Sequence, residues 1–349
     1  MPRTLGGGTD NPSGEPRHWN RFYTDVRPKG LPRSHHRTVG FCHYGPVTDV
    51  TEQERRASDT AGPFAELLRI ERLDENTFRG RCHAGAPMRA FGGQVAAQAL
   101  TAAGLTVGPD RPVHSLHGYF LLPGDPTRPI RYEVDRVRQG MSYVTRRVTA
   151  VQGGDAIFTL SASFKRPEPA ADRHREMPLL PGPEELPDAL SLWDEAARAE
   201  LTRSSGFGSL ELRFVPPDAP GVPAAVPGMP QQFVWLRTDS PLPDDDPLLH
   251  ACALTYLSDL TLASTAGLHV QPNFFQRAEA PRLIMASLDH AMWFHRPFRA
   301  DEWLLFAQRS PSSSDGRGLA LGEFYDREGR LVASAVQEAL LRDRSARKR

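Results

Sequence analysis

Asp259 interrupts a long apolar run, Leu248 to Leu268, within the segment Tyr256-Leu257-Ser258-Asp259-Leu260. A carboxylate in apolar surroundings can take a proton from water as a general base. Attack by the carboxylate itself, giving an anhydride, is a second route. Ser258 and Asp259 are also good N-cap types, and a helix that broke and restarted here would use them as caps. Both readings stand on the local residues. Ser287 and Gln337 carry side chains that donate and accept hydrogen bonds. Each alone is an ordinary strand residue, with Gln337 expected at a solvated position between Val336 and Glu338. His290 and His295 belong to the residue type that titrates near neutral pH. They lie in an aromatic run with Trp293 and Phe294, where packed, hydrogen-bonded histidines are expected, and Asp289 is expected to pair with His290 or Arg296. Asp246 and His250 offer a further acid–histidine pair at i, i+4. The sequence has no Gly-x-Ser-x-Gly elbow, which argues against an α/β-hydrolase nucleophile. Cys252, inside the apolar run, reads as core.

The elements that must position these residues fall into two similar series. In the first, Leu67 to Leu73 alternates as a strand. Gly92-Gly93 then opens an Ala- and Leu-rich run, Val95 to Leu105, that predicts a helix buried nearly all round and holds no Asp or Glu. Backbone N–H groups at such a helix entry, Gly92 and Gly93 among them, can receive a developing oxyanion. Strands are expected at about 113–121, 129–138, 142–151 and 156–165, with Gly153-Gly154-Asp155 as a hairpin turn. In the second series a strand at Leu210 to Phe214 and another at 232–238 flank a Pro-rich excursion, 216–230. Asp244-Asp245-Asp246-Pro247 marks a helix start, and the apolar helix 248–268 follows. Strands at about 283–295, 302–310, 318–325 and 331–341 complete it, with Ser115-Leu116 set against Ser287-Leu288 and Phe120 against Phe294. Two units of strand, buried helix and antiparallel strands predict an α+β architecture, each sheet wrapped around its own helix.

Composition limits what these units can bind. Lys+Arg and Asp+Glu both number 42, so the net charge is zero and nothing draws the whole chain to nucleic acid or an anionic membrane. No run of ~18 apolar residues predicts a spanning helix. Three scattered cysteines build neither a disulfide framework nor a zinc site, and a reducing, cytoplasmic setting is expected. Of the 32 prolines and 29 glycines, 23 fall outside the two units, where they are denser than within. They lie in 1–62, read as a disordered or loosely packed extension, and in 167–208, read as a linker with one short helix near 188–202. For 1–62 an Arg-rich transit peptide and a true start at Val47 or Val50 are the competing readings. The folded units are then 63–166 and 209–342, and 343–349 is a charged tail.

Several segments resemble the bacterial acyl-CoA thioesterase II family. They are Phe91-Gly92-Gly93-Gln94-Val95, the stretch His114 to Asp125, Tyr256-Leu257-Ser258-Asp259-Leu260, Ser287-Leu288-Asp289-His290-Ala291-Met292-Trp293-Phe294-His295-Arg296-Pro297-Phe298, and Val332 to Glu338. Together they span about four fifths of the chain, in the family's order. The resemblance implies a double hot-dog fold and hydrolysis of acyl-CoA to free acid and CoA. It also implies a catalytic group falling on Asp259, Ser287 and Gln337. Some members carry Thr where this chain has Ser287. A homo-oligomer is implied, because partners usually cover the sheet edges of such folds, and no metal or redox cofactor is. The competing functions are a hot-dog enoyl-CoA hydratase, for which Asp246 and His250 would be the pair, and an acyl-CoA-binding protein without turnover.

Overall fold

Apolar side chains at two spacings generate the architecture: helical runs that bury every face, and strands that bury alternate residues. The computed structural model describes residues 63–85, 89–192, 195, 206–270 and 283–343. The readings made of 1–62, most of the 188–202 helix and 344–349 lie outside these residues.

The first repeat begins with a short helix, α1 (Pro63–Leu68), then β1 (Ile70–Arg72) and β2 (Thr77–Gly80). The strand expected over Leu67 to Leu73 is thus only its second half. Phe64 and Leu68 are both fully buried, and their i, i+4 spacing puts them on one helical face. Helix α2 (Gly92–Gly104) follows, buried along almost its whole length as expected. The strands β3 (Val113–Phe120), β4 (Ile130–Gln139), β5 (Tyr143–Gln152) and β6 (Asp155–Lys165) lie close to their expected positions. Gly153 and Gly154 turn the β5–β6 hairpin with φ of 65° and 100°, values an L side chain rarely adopts.

The second repeat runs β7 (Leu210–Phe214), β8 (Gln231–Thr238), α3 (Pro247–Ser258), α4 (Leu262–Thr265), β9 (Leu283–Ser287), β10 (Asp289–Phe294), β11 (Leu304–Ser314), β12 (Arg317–Tyr325) and β13 (Leu331–Asp343). The Asp246 carboxylate caps α3 by accepting the Leu249 N–H at 2.9 Å. Two expectations need correction here. The apolar run 248–268 is two helices, broken after Ser258, and the run 283–295 is two strands, broken at Leu288.

All the described strands pair antiparallel, in the order β1-β2-β4-β5-β6-β3-β10-β13-β12-β11-β8-β7, with β9 also on β13. The order is a palindrome about the β3–β10 pair. Each repeat's sheet wraps its own helix, and the two sheets join edge to edge where Ala291 faces His117. Inside, α2 and α3 pack closely: no Cβ fits on Gly104 beside the Leu248 side chain. Gln94 and Gln98, both buried, fasten α2 to the chain before it through the carbonyls of Leu67 and Arg81. On the outer face of the second repeat Phe233, Trp235, Trp303, Leu305 and Tyr325 form a second small core. Met177, Leu180 and Leu186 from the 167–208 segment cover it, as do Ala219 and Val222 from the Pro-rich excursion. The Trp235 Nε1–H donates to the Pro181 carbonyl at 2.9 Å. These Pro-rich segments are therefore packed straps, each buried apolar side chain contributing roughly 1.5–3 kcal/mol.

Candidate active site

The break between α3 and α4 sets the position of Asp259. The Ser258 hydroxyl donates to the Thr255 carbonyl at 2.8 Å, closing the last turn of α3 from within. Asp259 is the residue after that turn and lies at the C-terminal cap position of α3. Its side chain does not cap α4, whose N-cap residue is Thr261. Instead it reaches the first turn of α2, in the other repeat, where the Gly93 N–H bonds its carboxylate. The cap reading and the chemical reading thus meet in one place: Asp259 sits at a helix N-terminus, but not that of its own segment.

Two further side chains arrive from the second sheet. Gln337 on β13 donates its Nε2–H to Asp259 Oδ1 at 2.6 Å, and Ser287 at the end of β9 donates its hydroxyl to the same oxygen at 3.3 Å. The three residues proposed as a group from the sequence are therefore in contact. Gln337 is fully buried, not solvated as its neighbours suggested, and its Oε1 makes no protein hydrogen bond. Burial pushes the Asp259 carboxyl up to about 6, against the opposing pull of Gln337, Gly93 and Ser287. Hydrogen bonds to the ionised form lower a carboxyl pKa, while loss of water raises it; here loss of water is the larger effect. The group is ionised at neutral pH but close enough to its midpoint to accept a proton readily.

The first repeat contributes the opposite wall. A Cβ placed on Gly92 would lie 2.8 Å from Asp259 Oδ2 and 2.9 Å from Cε1 of Phe120, the last residue of β3. A Cβ on Gly93 would lie 2.7 Å from both the Phe91 ring and the Tyr256 carbonyl oxygen. Only glycine lets the start of α2 approach α3 this closely. The Phe120 ring, stacked at a tilt on Phe158 with centroids 4.8 Å apart, is an apolar surface beside Oδ2. Phe120 was legible only as part of a matching segment, since nothing local marks one phenylalanine among 17.

The other candidates have different roles. His290 is buried, its Nε2 2.7 Å from Ser258 Oγ and its Nδ1 without a partner, and burial lowers its pKa to about 4. It is neutral at pH 7 and does not touch Asp259's carboxylate. His295 is exposed and bonds Ser334 Oγ. Asp289 pairs with neither His290 nor Arg296: it accepts the Glu338 backbone N–H at 2.7 Å, and Arg296 pairs with Asp172. Asp246 and His250 do not pair either. His250 Nδ1 accepts the Ala300 N–H at 3.1 Å, which leaves its Nε2–H to donate to the Pro243 carbonyl. Cys82 and Cys252 are buried thiols, with burial pushing each up to about 12. Among the described residues no cluster of His, Cys, Asp and Glu suits a metal ion, and no helix is long and apolar enough to cross a membrane.

The register shows why only one half carries these groups. In the first repeat Val113 pairs with Phe164, the register slips, and Ser115 pairs with Ser163. In the second, Ser287 pairs with Ala339 before an equivalent break at Leu288, after which Trp293 pairs with Ser334. Val113, not Ser115 as the sequence alignment had it, is therefore the counterpart of Ser287. Two residues back along the partner strands, Ala162 stands for Gln337. Ala99-Leu100-Thr101 in α2 matches Ala253-Leu254-Thr255 in α3, so Leu105 stands for Asp259.

The chain is similar to known acyl-CoA thioesterases. The acyl-CoA thioesterase family profile matches residues 224–340, and that of the acyl-CoA thioesterase N-terminal domain matches residues 81–165. The chain is 39% identical over 289 residues to acyl-coenzyme A thioesterase 8 of Rattus norvegicus, covering 80% of this chain and 88% of that one. It is 34% identical to acyl-CoA thioesterase 2 of Haemophilus influenzae, covering 82% and 99%. A crystal structure of an acyl-CoA thioesterase II, TesB2, from Mycobacterium marinum superposes with a TM-score of 0.68 at 44% identity, covering 81% of this chain and 99% of that one.

Proposed function

Since the chain belongs to the acyl-CoA thioesterase II family, hot-dog hydrolases of thioester bonds, we propose that Asp259 is its general base and that Ser287 and Gln337 hold the attacking water. The observation that carries this reading is the distribution of bonds around one carboxylate. Gln337 and Ser287 both donate to Oδ1, and Oδ2 lies beside Gly92 and the Phe120 ring. A water at Oδ2 gives one proton to the carboxylate and its other hydrogen bond to Gln337 Oε1, the buried acceptor with no protein partner. Its lone pair then faces the thioester carbonyl carbon. As the carbon–oxygen bond forms, the proton passes to Asp259 and the carbonyl π electrons move onto oxygen. The Gly93 N–H is engaged with the carboxylate, so the Gly92 N–H is the first-turn donor proposed for that oxyanion. Collapse breaks the carbon–sulfur bond. The CoA thiolate leaves without a strong acid, because its thiol pKa is about 8–9, and takes up the proton held by Asp259. The products are the free carboxylic acid and CoA.

We propose further that the protein works in the cytoplasm as a homo-oligomer. The two free buried thiols suit a reducing compartment, and Tyr119, Leu121 and Leu122 form an exposed apolar surface at the end of β3. A solution mass equal to one chain would overturn the oligomer.

The hydratase alternative loses its acid–histidine pair, because Asp246 and His250 serve the fold separately. The test is free-thiol release from acyl-CoAs of short to long chain, with Asp259→Asn alongside. We expect release by the wild-type protein and a fall of ~10²-fold or more in the variant, with the melting temperature retained. A variant that keeps its rate would remove Asp259 from the mechanism. Binding of acyl-CoA by the wild type without thiol release would instead favour the non-catalytic binder.

A further inference from the structure

The dipeptide Asp289-His290 touches neither Oδ2 nor Gly92, yet each residue bonds the immediate sequence neighbour of a group in the site. Asp289 accepts the N–H of Glu338, next to Gln337, at 2.7 Å. His290 bonds the hydroxyl of Ser258, next to Asp259, at 2.7 Å. Ser287 lies just upstream of the pair, across Leu288. We propose that Asp289 and His290 form a positioning clamp that sets the distance between Asp259 and Gln337; this rests on the catalytic reading given above.

The strand break explains why a clamp is needed at this point. Leu283, Met285 and Ser287 face the core side in β9, whereas His290 and Met292 do so in β10. The inward parity therefore switches from odd to even at Leu288. A strand without this extra residue would turn Ser287 to the opposite face from His290. The break has a backbone cost. Leu288 still donates to the Glu338 carbonyl at 2.8 Å, and its own carbonyl accepts the Phe120 N–H at 3.0 Å. The Glu338 N–H, at the bulge, takes a side-chain acceptor in place of a ladder carbonyl, and the Asp289 carboxylate supplies it. Asp289 thus ties the bulge that orients Ser287 to the residue after Gln337.

His290 works on the other partner. Ser258 has one hydroxyl proton, and the Thr255 carbonyl at 2.8 Å is a better acceptor for it than the Met292 sulfur at 3.2 Å. Ser258 Oγ therefore accepts from His290 Nε2–H, giving the chain His290 to Ser258 to the Thr255 carbonyl. It pins the last turn of α3 to β10, the strand hydrogen-bonded to both β13 and β3. Gln337, Asp259 and Phe120 are referred in this way to a single strand. His290 Nδ1, buried without a partner, marks a ring kept for one donor.

The test uses the full-length protein, with thiol release read beside the side-chain amide resonances of Gln337, assigned by Gln337→Ala. Asp289→Ala and His290→Leu are each expected to lower kcat about tenfold or more with KM within about twofold. Both should move the Gln337 amide resonance, because its bond to Asp259 is displaced. Asp289→Asn, whose amide oxygen can accept from Glu338, and His290→Gln, whose amide N–H can reach Ser258, should restore most of the rate. If His290→Leu fails to fold, Ser258→Ala takes its place, removing the acceptor of His290 with the same expected loss; if Asp289→Ala fails to fold, Asp289→Leu takes its place. Wild-type kcat and an unmoved resonance in the truncations would overturn the clamp. Equal defects in Asp289→Ala and Asp289→Asn would overturn the role given to Asp289. Should Asp259→Asn itself prove active, the catalytic reading falls, and the clamp is then judged by the Gln337 resonance alone.

Discussion

A carboxylate accepting three hydrogen bonds would ordinarily ionise well below its solution value, yet Asp259 titrates upward, to about 6. Burial outweighs the donors, and the pH dependence of turnover follows with a definite sign. Above about 6 the carboxylate is charged and able to accept a proton. Below it the base is lost, and kcat/KM should fall about tenfold for each unit of pH. Removing a donor should move this limb. Gln337→Leu deletes the contact that opposes burial most strongly, so its acid limb should lie at higher pH than the wild type's. A profile of kcat/KM against pH for both proteins checks this, and a limb that stays fixed would show that another group titrates. At this scale the site was legible in part. Asp259 stood out because an acid in an apolar run demands a reason. Ser287 and Gln337 did not, since a hydroxyl or an amide on a strand carries no such demand, and only the resemblance singled them out. The burial of Gln337 was hidden because its flanking residues alternate in the same way whichever face is inward.

Elements bring these residues together through two close approaches and one irregularity. The close approaches are at the start of α2, where Gly92 and Gly93 admit Asp259, Phe120 and the Tyr256 carbonyl. Gly92→Ala puts a methyl 2.8 Å from Oδ2 and 2.9 Å from the Phe120 ring, in the space assigned to water and thioester. It should abolish most thiol release while costing little stability, since Phe120 is only partly buried and its ring can shift. Thermal melts beside initial rates check the split; an active Gly92→Ala protein would mean that substrate approaches from elsewhere. The irregularity is the break at Leu288. Helix and strand periods located nearly every described element within a few residues, because their apolar repeats are strong. What the periods missed were interruptions: the turn after Ser258, the bulge at Leu288, and the helical half of Leu67 to Leu73. Each is set by a side-chain-to-backbone bond or a tertiary contact that a local period does not contain. A clue to the bulge was present in the inward residues Leu283, Met285 and Ser287 giving way to His290 and Met292, a change of parity that a single strand cannot make.

For the whole molecule, the palindromic strand order makes the two repeats near-equivalent scaffolds with unequal chemistry. The duplication was visible in sequence as two series of elements, but its register was not, because the matching serines Ser115 and Ser287 suggest an alignment two residues away from the one that strand pairing gives. With the register in hand, the pseudo-equivalent place in the first repeat holds Leu105, Val113 and Ala162 where the second holds Asp259, Ser287 and Gln337. Leu105, Val113 and Ala162 supply no base, hydroxyl or amide. The glycine entry that receives Asp259 is also unmatched: its counterpart at the start of α3 is Asp246-Pro247, where the Asp246 carboxylate caps its own helix, and the next side chain, Leu248, fills the space over Gly104. A second substrate would meet the Leu248 plug, and Leu105, Val113 and Ala162 in place of the catalytic group. One site per chain is therefore expected, assembled from both repeats, since Gly92, Gly93 and Phe120 come from the first. Titration with a thioether analogue of acyl-CoA, which cannot be hydrolysed, should saturate at one equivalent per chain in the wild type. Phe120→Ala, a change in the first repeat alone, should weaken that same single binding event. Two equivalents, or an affinity untouched by Phe120→Ala, would require a binding site built from other residues.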